Sequence, residues 1–197
     1  MDKSNRPLPC IHTERLTLQL PPRDAADRVL AFFHDNAEHL APYDPPRPDG
    51  FLTPAFWHER LERIPVEFEQ DIALRLVMTK RGDENGPILG MCNFSQIFRG
   101  PLQACVLGYS LDHRHVGRGL MAEALRPAID YVFNELGLHR IEANYMPTNE
   151  RSGRLLRRLG FVVEGYARDY LFIAGGWQDH VRTARTHVVP EAVRVDG

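Results

Sequence analysis

The stretch HRHVGRGLMA, residues 113–122, decides the fold of this chain. Three basic or imidazole side chains are followed by two glycines around one arginine, and then by an apolar run that favours a helix. Glycines at the entry to a helix let backbone N–H groups face an anion, and the helix dipole favours negative charge there. An ordinary helix entry that contains glycine has the same local pattern, so the neighbouring sequence decides between the two.

The sequence on both sides of this turn indicates a strand, a turn, a helix and a second strand. The apolar run ACVLGYSL precedes the turn, and IEANY follows the helix. Pro127 lies inside the helical pattern and predicts a kink, while Gly137 is suited to end the helix. Two strands joined by one helix predict a parallel pair with a right-handed crossover. The apolar face of the helix is predicted to contain Leu120, Leu125, Ile129, Val132 and Leu136.

The remaining segments extend this unit to a larger sheet. Alternation in ERLTLQL predicts a strand, and a helix follows from about Asp24 to His39. APYDPPRPDGFLTP is too rich in proline for regular structure, and the helix after it is predicted to kink or end at Pro65. ALRLVMT and PILGMCNFS predict a hairpin. A short helix capped by Asn149 and ended at Gly160 precedes three closing strands, FVVEGY, DYLFIAG and DHVRTART.

These elements predict an α/β fold, with a mixed, largely antiparallel sheet and flanking helices. A chain of 197 residues has room for one sizeable core. We therefore expect a single domain over residues 1–197, with a core of about 11–188 and loose termini.

Composition and charge exclude several classes of function. The formal net charge of −2 argues against a nucleic-acid surface and slightly favours a cationic partner. MDKSNRPLPCIHTER lacks the apolar region of a signal peptide, and no run approaches a membrane span, so we expect a cytoplasmic protein without a membrane partner. The three cysteines show no C-x-x-C spacing, and the nine histidines include no helical pair with metal-ligand spacing, so no metal site is expected. The oligomeric state is expected to be a monomer or a homodimer.

Two other phosphate-binding folds compete for the glycine turn. Gly117, Gly119 and Ala122 satisfy the G-x-G-x-x-A pattern of a dinucleotide-binding fold. That fold, however, starts its first glycine almost directly after the strand, and it needs an acidic residue at the end of the next strand, where this chain has Asn144 and Tyr145. A P-loop is excluded because the G-K-[ST] sequence is missing.

Arg114, Gly117 and Gly119 instead form R-x-x-G-x-G between a strand and a helix. This pattern resembles the acetyl-CoA pyrophosphate loop of the GNAT acyltransferase superfamily. NFSQIFRG, GRGLMAEAL, HRIEANYMPTNERSGRLLRRLGF and EGYARDYLFIAGGWQDH extend the resemblance over nearly the whole chain. They are similar to the RimJ and RimL branch of ribosomal-protein alanine N-acetyltransferases, and nearest to the RimJ group. The resemblance implies the GNAT fold.

The same resemblance implies a set of cofactor-binding residues. Main-chain groups next to the turn are expected to contact pantetheine, and the turn and helix entry are expected to hold pyrophosphate. Asn149 is expected to hydrogen-bond pantetheine, and Arg158 is expected either to reach a nucleotide phosphate or to be a solvated surface arginine. The implied contacts from strand, turn and helix entry are Ser110, Leu111, Asp112, Arg114, Val116, Gly117, Arg118, Gly119, Leu120, Met121 and Ala122.

Acetyl transfer to an amine needs a base for the amine and a proton for the leaving thiolate. By resemblance, the hydroxyl of Ser152, next to the cofactor, supplies the proton. Asp169 is the first candidate for the base and Glu164 the second; either one acts directly, acts through water, or only binds the ammonium or a salt-bridge partner. Tyr109, Tyr145 and Tyr170 are candidate linings of an acceptor channel or core residues.

The implied function is transfer of an acetyl group from acetyl-CoA to the N-terminal α-amine of a protein. By resemblance the acceptor is an alanine on the fifth protein of the small ribosomal subunit, with residues 41–54 as a wall of the peptide groove. Two alternatives stay open. The acceptor is a small-molecule amine, or the chain is a binding module that holds acetyl-CoA without turnover.

Overall fold

The computed structural model describes residues 7–188, and most of the predicted loose termini lie outside these residues. Within them one eight-stranded sheet has the order β1-β2-β3-β4-β5-β6-β8-β7. Every neighbouring pair is antiparallel except β5 and β6, which are parallel. The predicted mixed, largely antiparallel sheet is therefore confirmed. The strands are β1 (Cys10–His12), β2 (Leu16–Gln19), β3 (Leu74–Lys80), β4 (Gly90–Phe98), β5 (Ala104–Leu111), β6 (Arg140–Tyr145), β7 (Val162–Ile173) and β8 (Gly176–Thr186).

Five α-helices accompany the sheet in the described part of the chain. They are α1 (Ala26–Asp35), α2 (Ala37–Leu40), α3 (Pro54–Glu69), α4 (Leu120–Asn134) and α5 (Glu150–Arg158). Helix α4 connects the parallel pair β5 and β6, which confirms the predicted strand-turn-helix-strand unit.

The single helix predicted over Asp24 to His39 is wrong, because the chain breaks at Asn36 into α1 and α2. The Asn36 amide donates to the carbonyl of Phe32 at 2.9 Å. The side-chain oxygen Oδ1 of Asn36 accepts from the backbone N–H of His113 at 2.8 Å. A buried asparagine that bonds to the preceding turn competes with the helical pattern, so the break follows from tertiary contacts of one side chain.

Both internal prolines are accommodated inside helices. Pro65 lies in α3, which continues to Glu69, so the possibility that this helix ends at Pro65 is wrong. Pro127 lies in α4 between buried residues on either side. The apolar faces of these helices pack on the sheet. The burial of Leu120, Leu125, Ile129 and Val132 confirms the predicted face of α4, and Trp57, Leu61, Ile64 and Phe68 form the buried face of α3.

The two closing runs FVVEGY and DYLFIAG form one strand, β7, at the edge of the sheet. The pairing of β7 with β8 is irregular between Val163 and Gly165 and again between Ala167 and Leu171. Asp169, inside the second irregularity, has a positive φ of 48°. The break that the sequence indicates is thus a bulge inside one strand. No helix among residues 7–188 is long and apolar enough to cross a membrane.

Gly90 is required where β4 pairs with β5. A Cβ atom at this position would lie 2.6 Å from the backbone oxygen of Ser110. We expect Gly90→Ala to lower the free energy of unfolding by about 1–3 kcal/mol, because the added methyl group forces the two strands apart. Urea unfolding followed by circular dichroism measures this change.

Gly108→Ala is the matched control on the partner strand. Nothing lies within 4 Å of a Cβ atom at Gly108, so we expect its stability to stay within about 0.5 kcal/mol of the wild type. Equal stability of the two variants would contradict the close contact between β4 and β5.

Candidate active site

The site lies where β5 and β6 separate. The two strands pair only at Ala104 with Arg140, Cys105 with Ile141 and Val106 with Glu142. Beyond these pairs β5 continues along β4 as far as Leu111, while β6 continues along β8 as far as Tyr145. One edge of the second half of β5 is thus left without a strand partner.

A cavity of about 350 Å³ lies at this gap. It is lined by most of the residues that the sequence analysis predicted as cofactor contacts, which come from β5, the glycine turn, α4 and α5. Those residues are Ser110, Leu111, Val116, Gly117, Gly119, Leu120, Met121, Ala122, Asn149, Ser152 and Arg158. The sequence did not identify the other lining residues as cofactor contacts: His39, Leu40, Tyr43, Asp44, Tyr109, Arg151 and Leu155.

The glycine turn presents backbone N–H groups to this cavity. Gly117 and Gly119 have φ values of 81° and 79°, a left-handed conformation that glycine adopts without a steric penalty. Gly119 is the N-cap of α4, and no side chain caps the helix. The first N–H groups of α4 therefore have no side-chain cap, and the anion site that the sequence pattern indicates there stays a prediction.

Three predicted contacts, Asp112, Arg114 and Arg118, do not line the cavity. The Arg114 guanidinium lies on the buried Asp112 carboxylate, with Nη2 to Oδ2 at 2.5 Å, and it also contacts Asp35 at 2.9 Å. This ion pair lowers the pKa of Asp112 to about 2. Arg118 is exposed, and its carbonyl accepts from Arg15. The paired side chains of Asp112 and Arg114 stabilise the turn outside the cavity. Contact of Asp112, Arg114 and Arg118 with a cofactor stays a prediction.

On the opposite wall, α5 positions Ser152. Asn149 caps the helix, because its side chain accepts from the Ser152 backbone N–H at 3.1 Å. A Cβ atom at Gly153 would lie 2.7 Å from the Tyr145 ring, so the glycine allows α5 to pack directly on the end of β6. The Ser152 hydroxyl lies 2.7 Å from the hydroxyl of Tyr109 on β5. A pair of hydroxyl groups, one from β5 and one from α5, therefore meets across the gap.

Burial raises the pKa of Tyr109 to about 12, although the hydrogen bond with Ser152 opposes this shift. The phenol thus keeps its proton at neutral pH. Burial and the nearby Arg151 and His113 lower the pKa of His39 on α2, which favours the neutral imidazole.

The two candidate bases lie outside the cavity. The exposed Asp169 is part of the bulge in β7, where its backbone N–H donates to Asp179 at 2.9 Å. Glu164 is paired with Arg140, whose Nη1 lies 2.9 Å from Oε1, and this pair lowers the pKa of Glu164. Asp44 is the one carboxylate among the described residues that lines the cavity.

The candidate channel tyrosines have separate environments. Tyr109 lines the cavity, Tyr145 packs on Gly153, and the Tyr170 hydroxyl accepts from Asn144 at 3.4 Å.

The residues of α2 that line the cavity were missed by the sequence analysis, because their place in the site depends on how the helix packs, which no local pattern indicates. Among residues 7–188 no group of three or more His, Cys, Asp or Glu side chains could hold a metal ion.

Comparisons with known proteins agree with this geometry. Residues 15–162 match the family model described as the acetyltransferase (GNAT) domain. The [ribosomal protein uS5]-alanine N-acetyltransferase of Escherichia coli is 42% identical over 184 residues, which cover 93% of this chain and 94% of that one.

Solved structures show the same likeness. The ribosomal-protein-S5-alanine acetyltransferase of Vibrio fischeri superposes with a TM-score of 0.85 at 36% identity, over 90% of this chain and 96% of that one. Mycobacterium smegmatis RimJ in complex with CoA-disulfide shares the fold, with a TM-score of 0.81 at 23% identity over 95% of this chain and 89% of that one. On the family match and the extent of the E. coli likeness, this chain is an acetyltransferase of the GNAT family.

Proposed function

We propose that this acetyltransferase transfers the acetyl group of acetyl-CoA to the N-terminal α-amine of a protein, an alanine at the start of ribosomal protein uS5. The observation that carries the proposal is that one cavity collects the glycine turn, the open edge of β5 and the Ser152 hydroxyl. The choice of acceptor rests on the similarity to the E. coli and V. fischeri enzymes.

The groups around the cavity fit the parts of acetyl-CoA. The uncapped N–H groups at the start of α4 suit the pyrophosphate. The unpaired edge of β5 at Ser110 and Leu111 suits the pantetheine amides, which can bond to it as an added strand would. Arg151 and Arg158 on α5 supply positive charge for phosphate groups.

An N-terminal amine is an easier acceptor than a lysine. Its pKa is about 8 against about 10.4 for lysine, so reaching the neutral amine costs roughly 3 kcal/mol less. In our proposal Ser152 gives its hydroxyl proton to the leaving thiolate, and Tyr109, which stays protonated at neutral pH, orients that hydroxyl.

The acetyl transfer also needs a base that removes the proton of the amine. The role of Asp169 as base, with Glu164 second, stays a prediction. Since neither residue lines the cavity, a proton would reach either carboxylate through water. We also propose that the protein is cytoplasmic and that residues 1–197 form a single domain.

The glycine turn can be tested by CoA binding. Gly119→Val places a branched side chain at a φ of 79° and blocks close approach of the backbone to the pyrophosphate. We expect CoA affinity measured by calorimetry to fall about tenfold or more. Gly82→Val is the control, because Gly82 has the same φ of 79° in the turn between β3 and β4. Unchanged affinity of Gly119→Val would refute the assigned anion site.

The proton donor can be tested by single-turnover kinetics. We expect Ser152→Ala to lower the rate of acetyl transfer by about 10²- to 10⁴-fold, the usual loss for a general acid. Tyr109→Phe should cause a smaller loss, and Ser95→Ala, a hydroxyl removed from β4, should cause none. A larger loss in Tyr109→Phe than in Ser152→Ala would assign the proton to the phenol instead.

The acceptor can be identified with a pair of peptides. One begins with alanine, and the other is its N-terminally blocked copy that contains a lysine. After incubation with acetyl-CoA, mass spectrometry should find one acetyl group on the free N-terminus and none on the blocked copy. Acetylation of the blocked copy alone, or of free polyamines alone, would mean that the N-terminal assignment is wrong.

A further inference from the structure

We propose that Asp44 binds the ammonium group of the acceptor at the junction between the cofactor cavity and a second cavity. The inference rests on the proposed function, because it concerns an amine that must meet the acetyl group. No motif in the sequence indicates this residue, and it is not one of the candidate bases.

Helix α2 and the turn after it separate the two cavities. His39, Leu40 and Tyr43 line the cofactor cavity, whereas Ala37 and Ala41 line the second one. Residues at positions i and i+4 of a helix share one face, so the two sets lie on different sides of this wall.

Asp44 follows at the end of the wall and lines both cavities. It is the one residue common to their linings, so a group at Asp44 borders the space beside Ser152 as well as the second cavity. That second cavity measures about 530 Å³, and it is also bounded by Pro45, Pro46 and Phe172. Its walls thus come from the proline-rich segment, including Arg47, and from the edge strand β7. The proline, alanine and phenylalanine side chains among them can pack against the residues that follow the amine.

The charges around the cofactor cavity are divided. Arg151 and Arg158 lie on α5 and attract an anionic cosubstrate, but they repel an ammonium group. Burial and Arg151 lower the pKa of His39, which favours its neutral form. Asp44 therefore provides the negative charge on the side away from α5.

Arg47 fixes the direction of the Asp44 carboxylate. Its Nη2 lies 3.0 Å from Oδ2 of Asp44, and its guanidinium carbon lies 5.1 Å and 5.0 Å from the ring centres of Phe33 and Phe51. A guanidinium packed against two aromatic rings has little freedom to move. The Asp44 side chain is 30% exposed, so its other oxygen, Oδ1, is left to accept from an arriving ammonium group.

The test compares Asp44→Asn with Asp44→Glu and Glu38→Gln in the full chain. The probe is the alanine-starting peptide, and KM and kcat are measured at pH 7 and at pH 9.5. We expect Asp44→Asn to raise the peptide KM about tenfold or more at pH 7, the effect of losing one hydrogen bond between charged groups. KM for acetyl-CoA and kcat should change by less than about threefold.

The pH dependence separates charge from packing. An α-amine with a pKa of about 8 is neutral at pH 9.5, so the effect of Asp44→Asn should shrink there. Tyr109, with a pKa of about 12, stays protonated at both pH values. Asp44→Glu should restore most of the peptide affinity. Glu38→Gln removes an exposed charge from α2 outside both cavities and should match the wild type.

An unchanged peptide KM in Asp44→Asn, or an equal loss at both pH values, would overturn the assignment. So would an equal rise in KM for acetyl-CoA, which would indicate a collapsed site. If the wild type acetylates spermidine and not the peptide, the proposed function fails. The same variants are then assayed with spermidine, whose ammonium groups need the same carboxylate, and an unchanged spermidine KM overturns the role of Asp44.

Discussion

β5 and β6 share a ladder of only three residue pairs, and the position of nearly every group in the cavity depends on where that ladder stops. If it continued to Tyr109, the backbone of β5 would be fully paired and Tyr109 would pack into a closed sheet. Because it stops at Val106, β5 keeps an unpaired edge, and the Tyr109 hydroxyl meets Ser152 across the gap. The residues on this edge, from Gly108 to Leu111, are exposed or half-buried and lack a strand partner, so water or a bound molecule must supply their hydrogen bonds. A cosubstrate with amide groups fits this requirement.

The turn and the α2 wall are coupled by a single buried residue. Asn36 ends α1 through its bond to Phe32, and its oxygen accepts from His113 at the start of the turn. The pair of Asp112 and Arg114 then braces the next residues of the turn. Helix α2 and the glycine turn are therefore held at a fixed relative position. Contacts among Asn36, His113, Asp112 and Arg114 thus set the distance between α2 and the turn.

The sequence predicts the parts of the site that depend on local backbone geometry. Gly117 and Gly119 are recognisable because few other residues adopt their φ values, and Asn149 is recognisable because it caps a helix whose apolar positions are clear. The break at Asn36 was missed because its cause is a contact with His113, 77 residues away. Arg114 was assigned from spacing, but its side chain is held by Asp112 and Asp35. Asp44 has no local signal, because its place depends on which elements distant in sequence line the two cavities with it.

The edge strand β7 has a further consequence for the behaviour of the protein at high concentration. A long, exposed strand with Tyr166, Leu171 and Phe172 at its surface is a template on which a second chain could add a strand and start aggregation. The two irregularities in β7 interrupt its hydrogen-bonding edge, and the left-handed backbone at Asp169 twists it away from a flat register. Arg168 and Asp169 place charges at the same point. The bulge thus makes it harder for a second chain to add a strand to this exposed edge.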